Sequence, residues 1–97
     1  MTTYVVAHFK VEDPAGYASY AAKALPIIAA HGGETLAADD TVVDLWHDRP
    51  KTRVVLIAFP SRAAAKRWIE SPEYREVSAE RVRATETFSV LLVEGLG

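Results

Sequence analysis

The side chains with the richest chemistry in this 97-residue chain are three histidines, four tyrosines, two tryptophans and a scatter of arginines. His8, His31 and His47 never stand two or four residues apart, the spacings by which a strand or a helix offers two imidazoles to one metal ion, so no protein metal site is expected. His31 falls at the end of a helical stretch, where an imidazole bonds terminal carbonyls and complements the helix dipole. His8 lies in an apolar strand on the parity of Tyr4, Val6 and Lys10, and a polar ring so placed needs a partner. Two roles suit it. It is either a hydrogen-bonded core or interface residue, or a base in a cleft, where neutral imidazole takes a phenolic or enolic proton.

Tyr17 and Tyr20 share one predicted helix, while Trp68 and Tyr74 belong to a later helical region. Together they would wall a cleft for a planar organic ligand; apart, they are ordinary core and cap residues. Arg81 stands near Glu80 and Glu86 in sequence, which suits an ion pair, although its guanidinium fork is also able to hold a ligand carboxylate.

Other chemistries are excluded. The chain has no cysteine, so disulfides, thiolate nucleophiles and cysteine-held metals are ruled out. It has neither a Gly-x-Gly-x-x-Gly nor a Walker loop, and no Gly-x-Ser-x-Gly elbow, so no cofactor is expected and Ser61 reads as a helix cap. A net charge of −2 gives no general attraction to nucleic acid or anionic lipid. The local cations Arg49, Lys51 and Arg53 suit a turn between strands. No apolar run approaches the length of a membrane span and the first residues lack a leader pattern, so a cytoplasmic protein is expected.

The elements that must position these residues are legible in order. Apolar residues make up 49% and charged residues 25% of the chain, the balance of one folded domain over residues 1–97. Thr3 to Val11 is rich in strand formers. Asp13-Pro14 is a helix start, and Tyr17, Tyr20, Ala21, Ala24, Ile28 and His31 form one stripe, with a kink expected at Pro26 and closure at Gly32-Gly33. Glu34–Ala38 and Val42–His47 read as one strand interrupted at Asp39-Asp40-Thr41, followed by a turn at Asp48–Lys51. Arg53–Pro60 is the most apolar strand. Ser61 caps a helix through Ile69, Ser71-Pro72-Glu73 starts another to about Arg83, and Thr85–Glu94 is the last strand.

The order β-α-β-β-α-β is the split βαβ plan of an α+β, ferredoxin-like fold: a four-stranded antiparallel sheet with the helices on one face. RNA-recognition modules share this order, but their third strand carries a glycine, a basic residue and spaced aromatics, whereas RVVLIAFP offers only Phe59. A sheet covered on one side alternates apolar with polar residues. Here Val54 to Phe59 and Val90 to Val93 are apolar at both parities. The second face, roughly 400 Å² at ordinary strand spacing, therefore needs a cover, and a second copy of the chain is the expected one.

An ordered set of residues completes the picture: Asp13-Pro14-x-x-Tyr17-x-x-Tyr20, His31-Gly32-Gly33, Arg53 ahead of Phe59-Pro60-Ser61, Ala65, Trp68, Ser71-Pro72-Glu73-Tyr74, Arg81 and Glu94-Gly95. Spanning nearly the whole chain, it resembles the family known as domain of unknown function 1330. The resemblance implies a ferredoxin-like protomer of the dimeric α+β barrel superfamily, whose sheets pack face to face and whose protomers keep a cleft between helices and sheet. Relatives in that superfamily include cofactor-free monooxygenases, muconolactone isomerases and haem-dependent peroxidases. This chain departs from the family pattern in two places. Ala58 stands where relatives often carry a glutamate, and Asp44-Leu45-Trp46-His47 where they tend to show Glu-Gly. Two functions fit: a cofactor-free monooxygenase or isomerase with His8 as proton acceptor and Tyr17, Tyr20, Trp68, Tyr74 and Arg81 around an aromatic or enolisable ligand, or a non-catalytic dimeric binding or scaffold module.

Overall fold

The computed structural model describes residues 1–47 and 52–96. Strand β1 (Thr3–Val11) leads into α1 (Pro14–Ala30), then β2 (Glu34–Asp39), β3 (Arg53–Phe59), α2 (Arg62–Glu70), α3 (Pro72–Ala84) and β4 (Thr85–Glu94). The strands form one antiparallel sheet in the order β2-β3-β1-β4, which places the first and third strands at its centre. This is the ferredoxin-like arrangement, with the second helical segment divided in two.

Each helix start has a local chemical cause. Asp13 accepts from the Gly16 N–H at 3.1 Å, and Ser61 accepts from the Ala64 N–H at 3.1 Å. Ser71 separates α2 from α3 by acting at both ends, since its hydroxyl donates to the Trp68 carbonyl at 2.8 Å and accepts from the Tyr74 N–H at 3.2 Å. The proline that follows cannot extend α2 but suits the first turn of α3.

Side-chain parity sorts the sheet. Val5, Ile57 and Phe59 face the helices and pack with Tyr20, Ala24 and Ile28 of α1, Ala64, Ala65 and Trp68 of α2, and Tyr74 of α3. The alternate residues face away. On that open face Phe88, Leu91 and Val93 of β4 are exposed, beside half-buried Val6 of β1 and Leu56 of β3.

The second strand is shorter than its sequence suggests. It ends at Asp39, and Val42–His47 is not extended in the sheet. Two aspartates explain the correction. The Asp39 carboxylate accepts from both the N–H and the hydroxyl of Thr41 at 2.8 Å, and Asp44 accepts from the N–H groups of Trp46 and His47 at 2.9 and 2.7 Å. Such local turns satisfy the backbone donors that a ladder would otherwise use. A register shift in β2 between Thr35 and Ala37 further bends this edge. The turn expected at Asp48–Lys51 lies outside the described residues.

Helix α1 closes through two glycines of different kinds. Gly32 occupies the left-handed region (φ +82°), while Gly33 donates to the Ile28 carbonyl at 2.9 Å. A β-carbon at Gly33 would lie 2.5 Å from the Ile28 side chain and 2.8 Å from the Phe59 ring. Gly33→Ala is therefore expected to destabilise the fold by about 1–3 kcal/mol through overpacking, read as a lower urea midpoint with an unchanged slope.

Candidate functional site

Between the helices and the sheet lies a cavity of about 440 Å³, within the range of small-molecule sites. Val5, Ala7 and Val55 form part of its floor, Ala21, Ala24 and Ile28 part of its α1 wall, and Thr35 and Ala38 its side at the β2 edge. Small residues on α1 leave the space that larger ones would fill.

Aromatic rings form a continuous chain along the site. Phe9 and Tyr17 are 5.4 Å apart between ring centroids, Tyr17 and Tyr20 5.7 Å, and Tyr20 and Tyr74 6.4 Å. Tyr74 meets Trp68 at 4.4 Å and Trp68 meets Phe59 at 5.3 Å. At its middle the Tyr20 and Tyr74 hydroxyls share a buried hydrogen bond of 2.7 Å. Burial pushes the Tyr20 phenol well above the ordinary tyrosine range, with Tyr74 adding to the shift and the Arg81 charge opposing it. Tyr20 is therefore a neutral hydrogen-bonding group at physiological pH, not a base.

Two guanidinium groups border the cavity. Arg53, at the start of β3 on the helix-facing parity, lies over the Tyr17 ring at 5.3 Å, a cation–π contact, and 3.8 Å from the exposed Asp40 carboxylate. Arg81 donates to the Thr87 hydroxyl at 2.9 Å. The ion pair expected of Arg81 with Glu80 or Glu86 is not found among the described residues: Glu80 instead accepts from Lys23 at 3.0 Å and Ser19 at 3.2 Å across the α1–α3 surface. Two donors in the cavity walls, Arg53 Nε and Trp68 Nε1, are buried and meet no acceptor among the described residues.

The fold thus brings Tyr17, Tyr20, Trp68, Tyr74 and Arg81 around one space and leaves His8 outside its lining. The strand's parity turns His8 onto the open face, where its Nε2 is 3.0 Å from the Thr52 hydroxyl and its ring meets Phe88 edge-on at 5.2 Å. As a base it has no access to a ligand between the helices and the sheet. His31 holds the Ile27 carbonyl at 2.9 Å through Nδ1, a helix-end role. Among the described residues no three His, Asp or Glu side chains gather as a metal site, and no helix is long and apolar enough to cross a membrane.

Sequence reasoning places Arg53 at the start of the third strand but groups it with the cations of the preceding turn and does not name it as a site residue. The available signal was its parity, since Arg53 shares the inward alternation of Val55, Ile57 and Phe59. Ala58 pairs with Tyr4 and Glu34 on the opposite parity and does not line the cavity.

Residues 2–96 match the family described as Domain of unknown function (DUF1330). No curated protein matches the chain. Among solved structures, the RPA0582 protein of unknown function from Rhodopseudomonas palustris is similar at 21% identity and a TM-score of 0.74, over 95% of this chain and 78% of that one. SnoaB, a cofactor-independent oxygenase from Streptomyces nogalater, is similar at 16% identity and a TM-score of 0.72, over 99% and 94%. HapK from Hahella chejuensis is similar at 20% identity and a TM-score of 0.60, over 100% and 94%. At these identities the likeness is one of fold.

The Tyr20 shift carries a pH signature. A phenol harder to ionise in the folded than in the unfolded chain contributes stability that is complete below its unfolded value of about 10 and is lost as pH rises beyond it. Urea unfolding between pH 8 and 11.5 is expected to show stability falling above about pH 10, with a smaller fall in Tyr20→Phe. That variant also leaves the Tyr74 hydroxyl without its partner and is expected to cost about 1–2 kcal/mol at pH 8.

Proposed function

The chain belongs to the DUF1330 family, and we propose that it is a homodimeric protein that takes a small planar organic molecule, aromatic or enolisable, into the cavity between its helices and sheet. The observation that carries this is a cavity of about 440 Å³ walled by aromatic rings and aliphatic side chains, with its polar groups among the described residues confined to the tyrosine hydroxyls, Thr35, the Trp68 indole N–H and two guanidiniums. Flat apolar walls favour a planar ring, and a few convergent polar groups orient it. The homodimer is supported by the open face, where Phe88, Leu91 and Val93 are 42%, 52% and 44% exposed on one strand. A contiguous apolar patch of this kind ordinarily marks an interface.

A second reading, cofactor-independent oxygenation, is favoured by the likeness in fold to the oxygenase SnoaB. Its balance needs only dioxygen: an activated CH₂ in the substrate becomes C=O, one oxygen atom enters the carbonyl and the other leaves as water with both hydrogens. Among the described residues no carboxylate or imidazole lines the cavity. Such a reaction would therefore depend on a substrate that ionises readily, with the protein orienting it and stabilising its anion rather than removing the proton with a strong base.

Trp46 is 87% exposed, so Trp46→Phe is a tolerated background in which Trp68 is the sole tryptophan and can be excited selectively over the tyrosines. Anthrone titrated into that variant without oxygen is expected to quench Trp68 saturably. Ala21→Phe, which fills the cavity, is expected to weaken the quenching at least about tenfold, in line with the loss of space for one ring. Equal quenching in both would overturn the site. Admitting oxygen and following its uptake separates oxygenation from binding alone. Sedimentation at micromolar concentration is expected to give a dimer that Leu91→Lys dissociates; a wild-type monomer would overturn the proposed assembly.

A further inference from the structure

We infer that the molecule held in this cavity is an acid bound as its anion: a planar ring system bearing a negatively charged oxygen, carboxylate or ionised phenol or enol, anchored at Arg81 with Arg53 as a second, weaker cation. This rests on the binding proposed above and adds the ligand's charge, which apolar walls alone do not specify.

The first ground is the balance of charge. Arg53 and Arg81 both line the cavity, and among the described residues no acidic side chain does. A guanidinium beside apolar walls interacts more strongly with a counter-charge than it would in water, because the surrounding medium screens less. The field already acts within the site, since the Arg81 charge opposes the upward shift of the Tyr20 phenol. A ligand oxyanion near Tyr20 would meet the same charge.

The second ground is the balance of donors and acceptors. Each guanidinium carries five N–H donors and an indole one more. Arg53 Nε and Trp68 Nε1 have no acceptor among the described residues, and the nearby Tyr20 and Tyr74 hydroxyls are bonded to each other. The walls therefore carry charged and indole donors, while their acceptors are only neutral hydroxyls, which donate as readily. An anionic oxygen, which only accepts, is complementary to such walls; a ligand presenting donors is not.

The two arginines differ in what already neutralises them. Arg53 has Asp40 within 3.8 Å, and its charge also reaches Asp39. Arg81 is held by the neutral Thr87 hydroxyl, and the adjacent Glu80 is turned to Lys23 and Ser19. The stronger anion anchor is therefore Arg81, whose side chain is fixed from β4 and whose charge is felt at the tyrosine pair.

Anthracene-2-carboxylate and anthracene-2-carboxamide have nearly the same shape and differ in charge, so their dissociation constants at pH 7.5 separate this inference from the binding reading. The carboxylate is expected to bind at least about tenfold tighter than the amide, a preference that shrinks with added salt. Arg81→Gln is expected to bring the two within about twofold of each other, chiefly by weakening the carboxylate, and a cooperative urea unfolding transition of unchanged slope shows that the variant is folded. Arg53→Gln is expected to reduce the preference by a smaller factor. Should Arg81→Gln fail to fold, Arg81→Lys, which keeps the charge but not the fork, is expected to retain part of the preference. Equal affinity of the two probes for the wild-type protein would overturn the anion and leave the cavity as a binding site. Binding of neither would overturn both.

Discussion

A chain of aromatic contacts, joined at its centre by the 2.7 Å hydrogen bond between the Tyr20 and Tyr74 hydroxyls, sets the spacing on which the rest of this structure depends. Helix α1 packs on α3 and, through Tyr20, Ala24 and Ile28, on Val5, Ile57 and Phe59 of the sheet. What fills the distance to the sheet is side chain, namely Tyr17 and Tyr20 from α1 and Trp68 and Tyr74 from the later helices, each ring contact contributing about 0.5–1.5 kcal/mol beyond its buried area. Rings are stiff spacers. Where they stand, the helices are held off the sheet; beside them, where α1 carries Ala21 and Ala24, the same separation leaves an open volume. Core and cavity are two consequences of one arrangement of large and small residues.

The two faces of the sheet divide the chemistry. The helix-facing parity of β1 and β3 supplies the core and the cavity floor and, at Arg53, one of its cations. The opposite parity carries His8, with Thr52 as its partner, amid apolar side chains. One slip of register would exchange these sets, moving the imidazole into the cavity and the guanidinium out of it. The residue best suited by type to proton transfer thus stands on the wrong side for a ligand under the helices, and the groups on the right side are donors and cations. That distribution suits recognition of an electron-rich, acidic ring more than it suits base catalysis.

Much of this was legible in the residues themselves. The helix starts at Asp13-Pro14, Ser61 and Ser71-Pro72 read correctly because each is a local competition for a few backbone donors, decided by the residue that caps them. The gathering of Tyr17, Tyr20, Trp68 and Tyr74 followed from helical spacing and from the side of the sheet that the helices must cover. The second strand was misread past Asp39, because apolar residues at Val42, Val43 and Leu45 imitate a strand while the Asp39 and Asp44 carboxylates divert the backbone into turns. The parity of His8 with Tyr4, Val6 and Lys10 is legible in the strand, but which parity faces the helices is not, so its two roles stay open in the sequence and Arg53 goes unnoticed on the other parity. The partners of Arg81 and Glu80 depend on the long-range approach of α1 to α3 and β4, which no local pattern encodes.

The central claim is that a planar acid lodges under the helices against the tyrosine chain. Aromatic ¹H–¹³C NMR with methyl labelling, followed as anthracene-2-carboxylate is added, tests it most directly, because ring currents displace nearby resonances by position. The account predicts that Tyr17, Tyr20 and Tyr74 shift together with the methyl groups of Val55 and Ile57, while Leu91 and Val93 on the open face hold still. Shifts confined to the open face, or none at saturating ligand, would contradict it.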